Sequence, residues 1–279
     1  MQVVDDDVTP DDALEAEVQW LLDTECKDAF SRMRNLLRDV SISLHEDSAA
    51  KSIPIRCGSD DDGLLATVVI SATSIHAMRM KLTVAKWNHD EAYSALLGGG
   101  QKLSIPLPSL VTVKNRVAQA VAALGRGYGD LGTAHTVMQQ ALICITDAIN
   151  AVHLALPPVK PTNAPPGVAF ASAGLHGQAP SSLSAQLREM LQPPPPDDLT
   201  IDVCAAGNPP RLFVTAIIMR PDGTALDSRC VSAVGLDGIE ERMNLLEQAA
   251  EEARALLCKL DVVAELYDSG DYSHDADIS

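Results

Sequence analysis

Along four stretches of the chain apolar residues return every three or four positions, the period of a helix with one buried face. From Asp11 to Leu44 the stripe is Leu14, Val18, Leu21, Leu22, Cys26, Ala29, Met33, Leu36, Leu37 and Val40. Thr9-Pro10-Asp11-Asp12 supplies a start: Thr9 as N-cap, Pro10 at the first helical position, and carboxylates at the positive end of the helix. A second helix, Ser109 to Leu124, aligns Leu110, Val113, Val117, Ala120, Val121 and Leu124. A third, Thr133 to Leu156, aligns Val137, Ala141, Leu142, Ile145, Ala148, Ile149 and Val152. The fourth, Gly238 to Leu266, places Ile239, Met243, Leu246, Ala250, Ala253, Leu257, Leu260 and Ala264 in alternating steps of three and four. Asp237-Gly238-Ile239-Glu240 has the form of a capping box, with Asp237 as N-cap. A stripe this long suits antiparallel packing in a bundle.

Between these helices the period falls to two. Met78 to Val84 and Leu199 to Val203 alternate strictly, and Leu64 to Ser71, Arg211 to Met219 and Ser228 to Ala233 also read as strands. Gly207-Asn208-Pro209-Pro210 and Pro221-Asp222-Gly223 are turns that join the last three strands into a meander. The predicted fold is α+β, an antiparallel four-helix bundle plus an antiparallel β domain, both discontinuous in sequence. Residues 11–45, 106–156 and 236–267 make the bundle. Residues 46–105 and 181–235 make the β domain, whose two strand groups can share one sheet. The latter segment opens with a short helix, Leu183 to Leu191, stopped by Pro193 to Pro196. Residues 157–180, rich in Pro, Ala and Gly, form a linker, while 1–10 and 268–279 are acidic tails.

Composition sharpens this outline. Only 3% of residues are aromatic, so the core must come from Leu, Val, Ile, Ala and Met. The net charge is −17, but residues 1–25 and 261–279 hold 15 acids and no Lys or Arg, leaving 23 acids against 21 bases between them. A near-neutral body with acidic ends disfavours nucleic acid and anionic lipid as partners. No apolar run reaches the roughly 20 residues that cross a bilayer, and the N-terminus is acidic where a signal peptide is basic. A cytoplasmic location without membrane insertion is therefore expected. Six cysteines (Cys26, Cys57, Cys144, Cys204, Cys230, Cys258) are scattered without a C-x-x-C pair and read as reduced, buried thiols.

Candidate chemistry is sparse. Gly127-Tyr128-Gly129-Asp130-Leu131-Gly132 matches G-x-G-x-x-G, but it lies between two helices, whereas a dinucleotide site needs a strand before it. Gly98-Gly99-Gly100-Gln101-Lys102 lacks the glycine spacing and the hydroxyl of a phosphate loop and reads as a hairpin loop. Asp60-Asp61-Asp62-Gly63 lacks the downstream oxygens of a calcium loop, and Asp62-Gly63 reads as a hairpin turn. The seven histidines show no metal-ligand spacing, and neither G-x-S-x-G nor a catalytic cysteine signature occurs. No catalytic residue, cofactor or metal is expected, the protein is not expected to be an enzyme, and no interface residue is singled out.

Several segments nevertheless carry a family likeness. Leu14-Glu15-Ala16-Glu17-Val18-Gln19-Trp20-Leu21-Leu22 opens the long first helix, and Cys57-Gly58 sits at the first strand pair. Asn115-Arg116-Val117-Ala118-Gln119-Ala120 lies in the second helix, and Pro196-Asp197-Asp198-Leu199 leads into the meander. In that order they resemble the Rogdi family, over roughly Leu14 to Leu266. The resemblance implies an elongated two-domain protein, a helical bundle beside a β domain. It implies a non-enzymatic adaptor of a RAVE-like complex. Its partners would be a large β-propeller subunit of the rabconnectin-3 type and the peripheral-sector subunits of the vacuolar proton pump, the V-ATPase. Its task would be assembly of that pump, with recruitment to vacuolar or endosomal membranes through partners. The chain departs from the family in its Asp-rich end, where relatives often carry an aromatic-rich tail; only Tyr267 and Tyr272 remain here. The alternative is an unrelated helical scaffold or tether that binds through its Gly238–Leu266 helix.

Overall fold

A computed structural model describes residues 10–45, 50–58, 63–83, 92–97, 104–155, 189, 194, 199–219 and 225–270. The Thr9 cap, the linker, both glycine- and aspartate-rich loops, the Pro221 turn and the tails beyond 10–270 lie outside them. So does the short helix after the linker, except that Glu189 is helical. The described chain is mixed helix and antiparallel strand, an α+β fold. It divides into two compact units.

One unit draws on Met1–Val40, Arg116–Asp147 and Asn244–Ser279, and within the described residues it is helical. Its first helix is not uniform. α1 (Pro10–Trp20) passes into a π-helical segment (Leu21–Cys26) and then α2 (Lys27–Ser43). The wider π turn shifts the apolar stripe, so that Leu21, Leu22, Cys26, Ala29, Phe30, Met33, Leu37 and Val40 are buried while Leu14, Val18 and Leu36 are only half-buried. Phe30, outside the predicted stripe, packs on Tyr128 with ring centroids 4.7 Å apart. The Tyr128 hydroxyl donates to the Leu22 carbonyl at 3.0 Å, giving a partner to a carbonyl in the segment where the regular ladder is interrupted.

α3 (Pro108–Gly125) and α4 (Leu131–His153) follow the predicted second and third helices, but Val121 is exposed and Ala123 takes its place inside. α4 begins two residues before Thr133 and ends at His153, three short of Leu156, both within or beside segments that the described chain fixes by hydrogen bonds. α5 (Asp237–Gly270) carries the longest stripe. Ile239, Leu246, Ala253 and Leu260 are buried at intervals of seven, but the residue between them moves from the fourth position (Met243, Ala250) to the third (Leu256, Val263). Leu257 and Ala264 are therefore only half-buried, contrary to the alternating pattern. A seven-residue repeat drifts by about 20° per heptad on a 3.6-residue helix, which moves the contact face along the rod. The helix also begins one residue early: the Leu236 carbonyl accepts from Ile239 N–H at 2.7 Å and Glu240 N–H at 3.0 Å, taking the capping position predicted for Asp237.

Cross-helix pairs give directions within this unit. Lys259 pairs with Glu25 and Arg32 with Glu252 (3.0 Å), so the last helix runs against the first. Arg116 with Asp147 (3.2 Å) and Arg126 with Gln140 (3.1 Å) make α3 and α4 an antiparallel hairpin. His135 meets Asp261 at 3.0 Å. These exposed pairs are worth little each and report geometry rather than stability. The core beneath them is rich in alanine, with Ala29, Ala120, Ala134, Ala141, Ala249, Ala250 and Ala253 buried.

The other unit, Ser41–Asn115 and Ala148–Met243, carries two sheets. β1 (Lys51–Gly58), β2 (Gly63–Ser71), β3 (Ser74–Thr83) and β4 (Tyr93–Leu97) lie in sequence order, with β5 (Ile105–Pro106) also on β3. β6 (Leu199–Ala206), β7 (Arg211–Met219) and β8 (Ala225–Gly235) form a separate meander. The expectation of one shared sheet is thus corrected. β8 comes within 8 Å of β1, Cα to Cα, yet no ladder joins them. Neighbours in sequence pair first because short loops cost least to close. In β3, Ile75 and Met78 both point inward because a bulge opposite Val69 and Ile70 inserts a residue and reverses the alternation. The meander's first turn lies at Gly207–Pro210 as expected, with Gly207 at φ +89° and its N–H bound to the Val152 carbonyl. Ser109 Oγ donates to the Ala205 carbonyl at 2.8 Å, and Leu107 N–H to the Thr73 carbonyl at 2.8 Å, so helix ends are pinned to both sheets.

Candidate interaction surface

The ladders of the five-stranded sheet decide which side chains share a face. Arg56 pairs Leu65, Leu65 pairs Lys81, and Lys81 pairs Ser94, giving one row across four strands. Pro54, Thr67, Arg79 and Leu96 make the next row on the same side. All eight are exposed. The residues between them, Ile55, Ala66, Val68, Met78, Met80 and Leu82, are buried on the opposite side. This is the inside-outside alternation of a sheet packed on one face. The outward face borders an open concavity of about 1170 Å³.

Two features set this face apart from an ordinary solvated one. Among its described residues it holds three cations and no acid, although acids outnumber bases 38 to 21 in the chain. It also exposes Leu96 (63%) and Leu65 (40%) between those charges. The sequence shows half of this, since Arg79 and Lys81 alternate with Met78, Met80 and Leu82. That Arg56 joins them depends on strand register, which no single segment encodes.

Two smaller cavities have other characters. One of about 440 Å³ is lined by Lys51, Ser52, Ile53, Ile70, Leu236, Gly238, Ile239 and Arg242, with the Lys51 ammonium beside the start of α5. Burial holds the Arg242 guanidinium below its ordinary pKa, slightly countered by Glu241. The other, about 690 Å³, lies between α1 and the α3–α4 connection and is lined by Asp12, Glu15, Gln19, Leu22 and residues 129–132.

The G-x-G-x-x-G stretch is that connection. Gly127 adopts φ +74°, and Asp130 caps α4 by accepting from Thr133 N–H at 2.7 Å. Thr133 Oγ1 accepts in return from the N–H groups of Gly129 and Asp130, both at 3.1 Å. Hydrogen bonds from the Thr133 backbone and side chain, with a smaller one from the Gly132 backbone, hold the Asp130 carboxyl below its usual range. Among the described residues no group of three or more His, Cys, Asp or Glu could hold a metal ion, and no helix is long and apolar enough to cross a membrane. Of the cysteines with described side chains, Cys26 and Cys144 are buried as expected, while Cys204 is half-buried and Cys258 exposed, because the helical period turns position 258 away from Ala253, Leu256 and Leu260. No protein-family model and no curated protein matches the chain.

Proposed function

We propose that the chain is a non-enzymatic adaptor subunit of a RAVE-like complex that promotes assembly of the vacuolar proton pump. It acts in the cytoplasm, with a large β-propeller subunit of the rabconnectin-3 type and with peripheral-sector pump subunits, and reaches vacuolar or endosomal membranes through them. The observation that carries this reading is the collinear set of Rogdi-like segments: Leu14–Leu22, Cys57-Gly58, Asn115–Ala120 and Pro196–Leu199. Supporting it, the described parts of these segments lie in a long first helix, at the end of β1, within α3 and at the start of β6. Within the same proposal, the helices form an antiparallel four-helix bundle and the strands a second domain. The antiparallel pairs Glu25–Lys259 and Arg32–Glu252 favour the bundle.

The alternative, a tether whose last helix offers an apolar seam to partners, has less support. Ile239, Met243, Leu246, Ala253, Leu256 and Leu260 are already buried within this chain. Purification of the tagged chain from its own cells, with mass spectrometry of bound proteins, tests the choice. A β-propeller protein accompanied by pump subunits is the expected result. Reproducible partners that include neither would reject the adaptor.

A further inference from the structure

We propose that the outward face of the five-stranded sheet is a docking surface for an acidic segment of a partner protein, one that carries aliphatic side chains among its carboxylates. The inference goes beyond pump assembly and does not depend on it. Lys81 and Arg79 are two residues apart on β3, roughly 7 Å along a strand, and Arg56 stands two strands from Lys81 in the same row, roughly 10 Å away. Arg79 and Lys81 repel one another at this separation, and carboxylates laid across them relieve that repulsion. Among the described residues neither the Arg79 nor the Lys81 side chain is held in an ion pair or hydrogen bond. Their charges are therefore available to a partner.

Charge alone does not define the occupant. Leu65 lies between Arg56 and Lys81 in its row, and Leu96 lies beside Arg79, so each cation has an exposed leucine as neighbour. A purely polar ligand would leave both leucines wet, whereas an acidic segment with aliphatic residues covers them and matches the charges together. Nucleic acid fits less well. The eight outward residues include no aromatic ring for base stacking, and three cations are few against the 6–10 phosphate contacts typical of such complexes. A long polyanion would also extend over the rest of a chain with net charge −17. A short acidic segment stays within the roughly 8 Å over which the local cations dominate at physiological salt.

Fluorescence anisotropy of the full chain tests this with three labelled probes: a short peptide alternating Glu and Leu, the same peptide with Lys for Glu, and an oligothymidine of equal negative charge. The Glu/Leu peptide should bind, more weakly as salt rises, and the Lys/Leu peptide should not. Arg79→Glu with Lys81→Glu should weaken binding about tenfold or more. Arg38→Glu with Arg254→Glu, an equal change in net charge on exposed helical positions, should leave it within about twofold. Leu96→Ser should weaken it by about fivefold. Circular dichroism melts matching the parent chain would establish that each variant folds. No binding of the Glu/Leu peptide, an equal loss in the helical control, an unchanged affinity for Leu96→Ser, or tighter binding of the oligothymidine would each overturn the proposal.

Discussion

Tyr128 connects two features that local sequence does not join: the π segment of the first helix and the turn between α3 and α4. Its hydroxyl serves the Leu22 carbonyl and its ring packs on Phe30. Tyr128→Phe keeps the ring and removes the donor, so chemical denaturation should show a loss of about 1 kcal/mol. Tyr128→Leu, which also loses the ring contact, should cost more. A second residue-scale test concerns the thiols. Burial, with a smaller push from the Glu25 charge, raises the Cys26 thiol to about 11, so it stays protonated and enclosed near neutral pH. Because folding raises this pKa, its contribution to stability is present below the unfolded value near 9 and declines as pH rises from there toward 11. Maleimide labelling of the native chain, mapped by mass spectrometry, should modify exposed Cys258 well before Cys26. Equal labelling would mean that the core around Cys26 opens readily. Asp130 behaves oppositely: its lowered pKa makes its capping bonds a source of stability above the usual carboxylate range that is lost as pH falls through the folded value. Asp130→Asn should preserve the cap and remove that acid dependence in thermal melts.

α5 offers a test at the scale of an element. Leu256 is 2% exposed and Leu257 half-buried, so Leu256→Ala should cost about 2–5 kcal/mol and Leu257→Ala distinctly less in denaturant unfolding. Leu246→Asp should cost about 3 kcal/mol or more, against about 0.5 or less for exposed Glu247→Lys. The reverse order at 256 and 257 would restore the simple alternation of threes and fours. Long stripes such as Ile239–Leu246–Ala253–Leu260 identify a helix and its inner side because burial repeats with the backbone period. They leave the intermediate phase open, because a drift of about 20° per heptad is smaller than the angle between adjacent residues. The π segment was illegible for a related reason: Leu21 and Leu22 fit either kind of turn, and Tyr128 favours one from a distant position. Strands are legible from alternation in Met78–Leu82, but their partners are not, so alternation alone does not separate two sheets from one. The basic face was half-visible for the same reason, with Arg79 and Lys81 in one segment and Arg56 brought beside them by pairing.

At the scale of the whole molecule, charge and connectivity frame the function. Acidic ends flank a near-neutral body, and a basic sheet face lies within that body, so contacts made by either should weaken with salt while buried apolar contacts should not. Residues 157–180, rich in Pro, Ala and Gly, should be the first site of proteolysis, followed by gel analysis under native and denaturing conditions. The two pieces should remain together natively, because helices on both sides of the cut contribute to the unit drawn from Met1–Val40, Arg116–Asp147 and Asn244–Ser279. Separation on cutting would contradict that shared core. The proposed role is to help join pump sectors by holding partners together. It is tested most directly by depleting the protein, separating membrane from cytosol and measuring where a peripheral-sector pump subunit resides. Normal subunit levels with a shift from membrane to cytosol, and a rise in the pH of acidic compartments, are the expected result. Unchanged membrane association with normal organelle pH would contradict it.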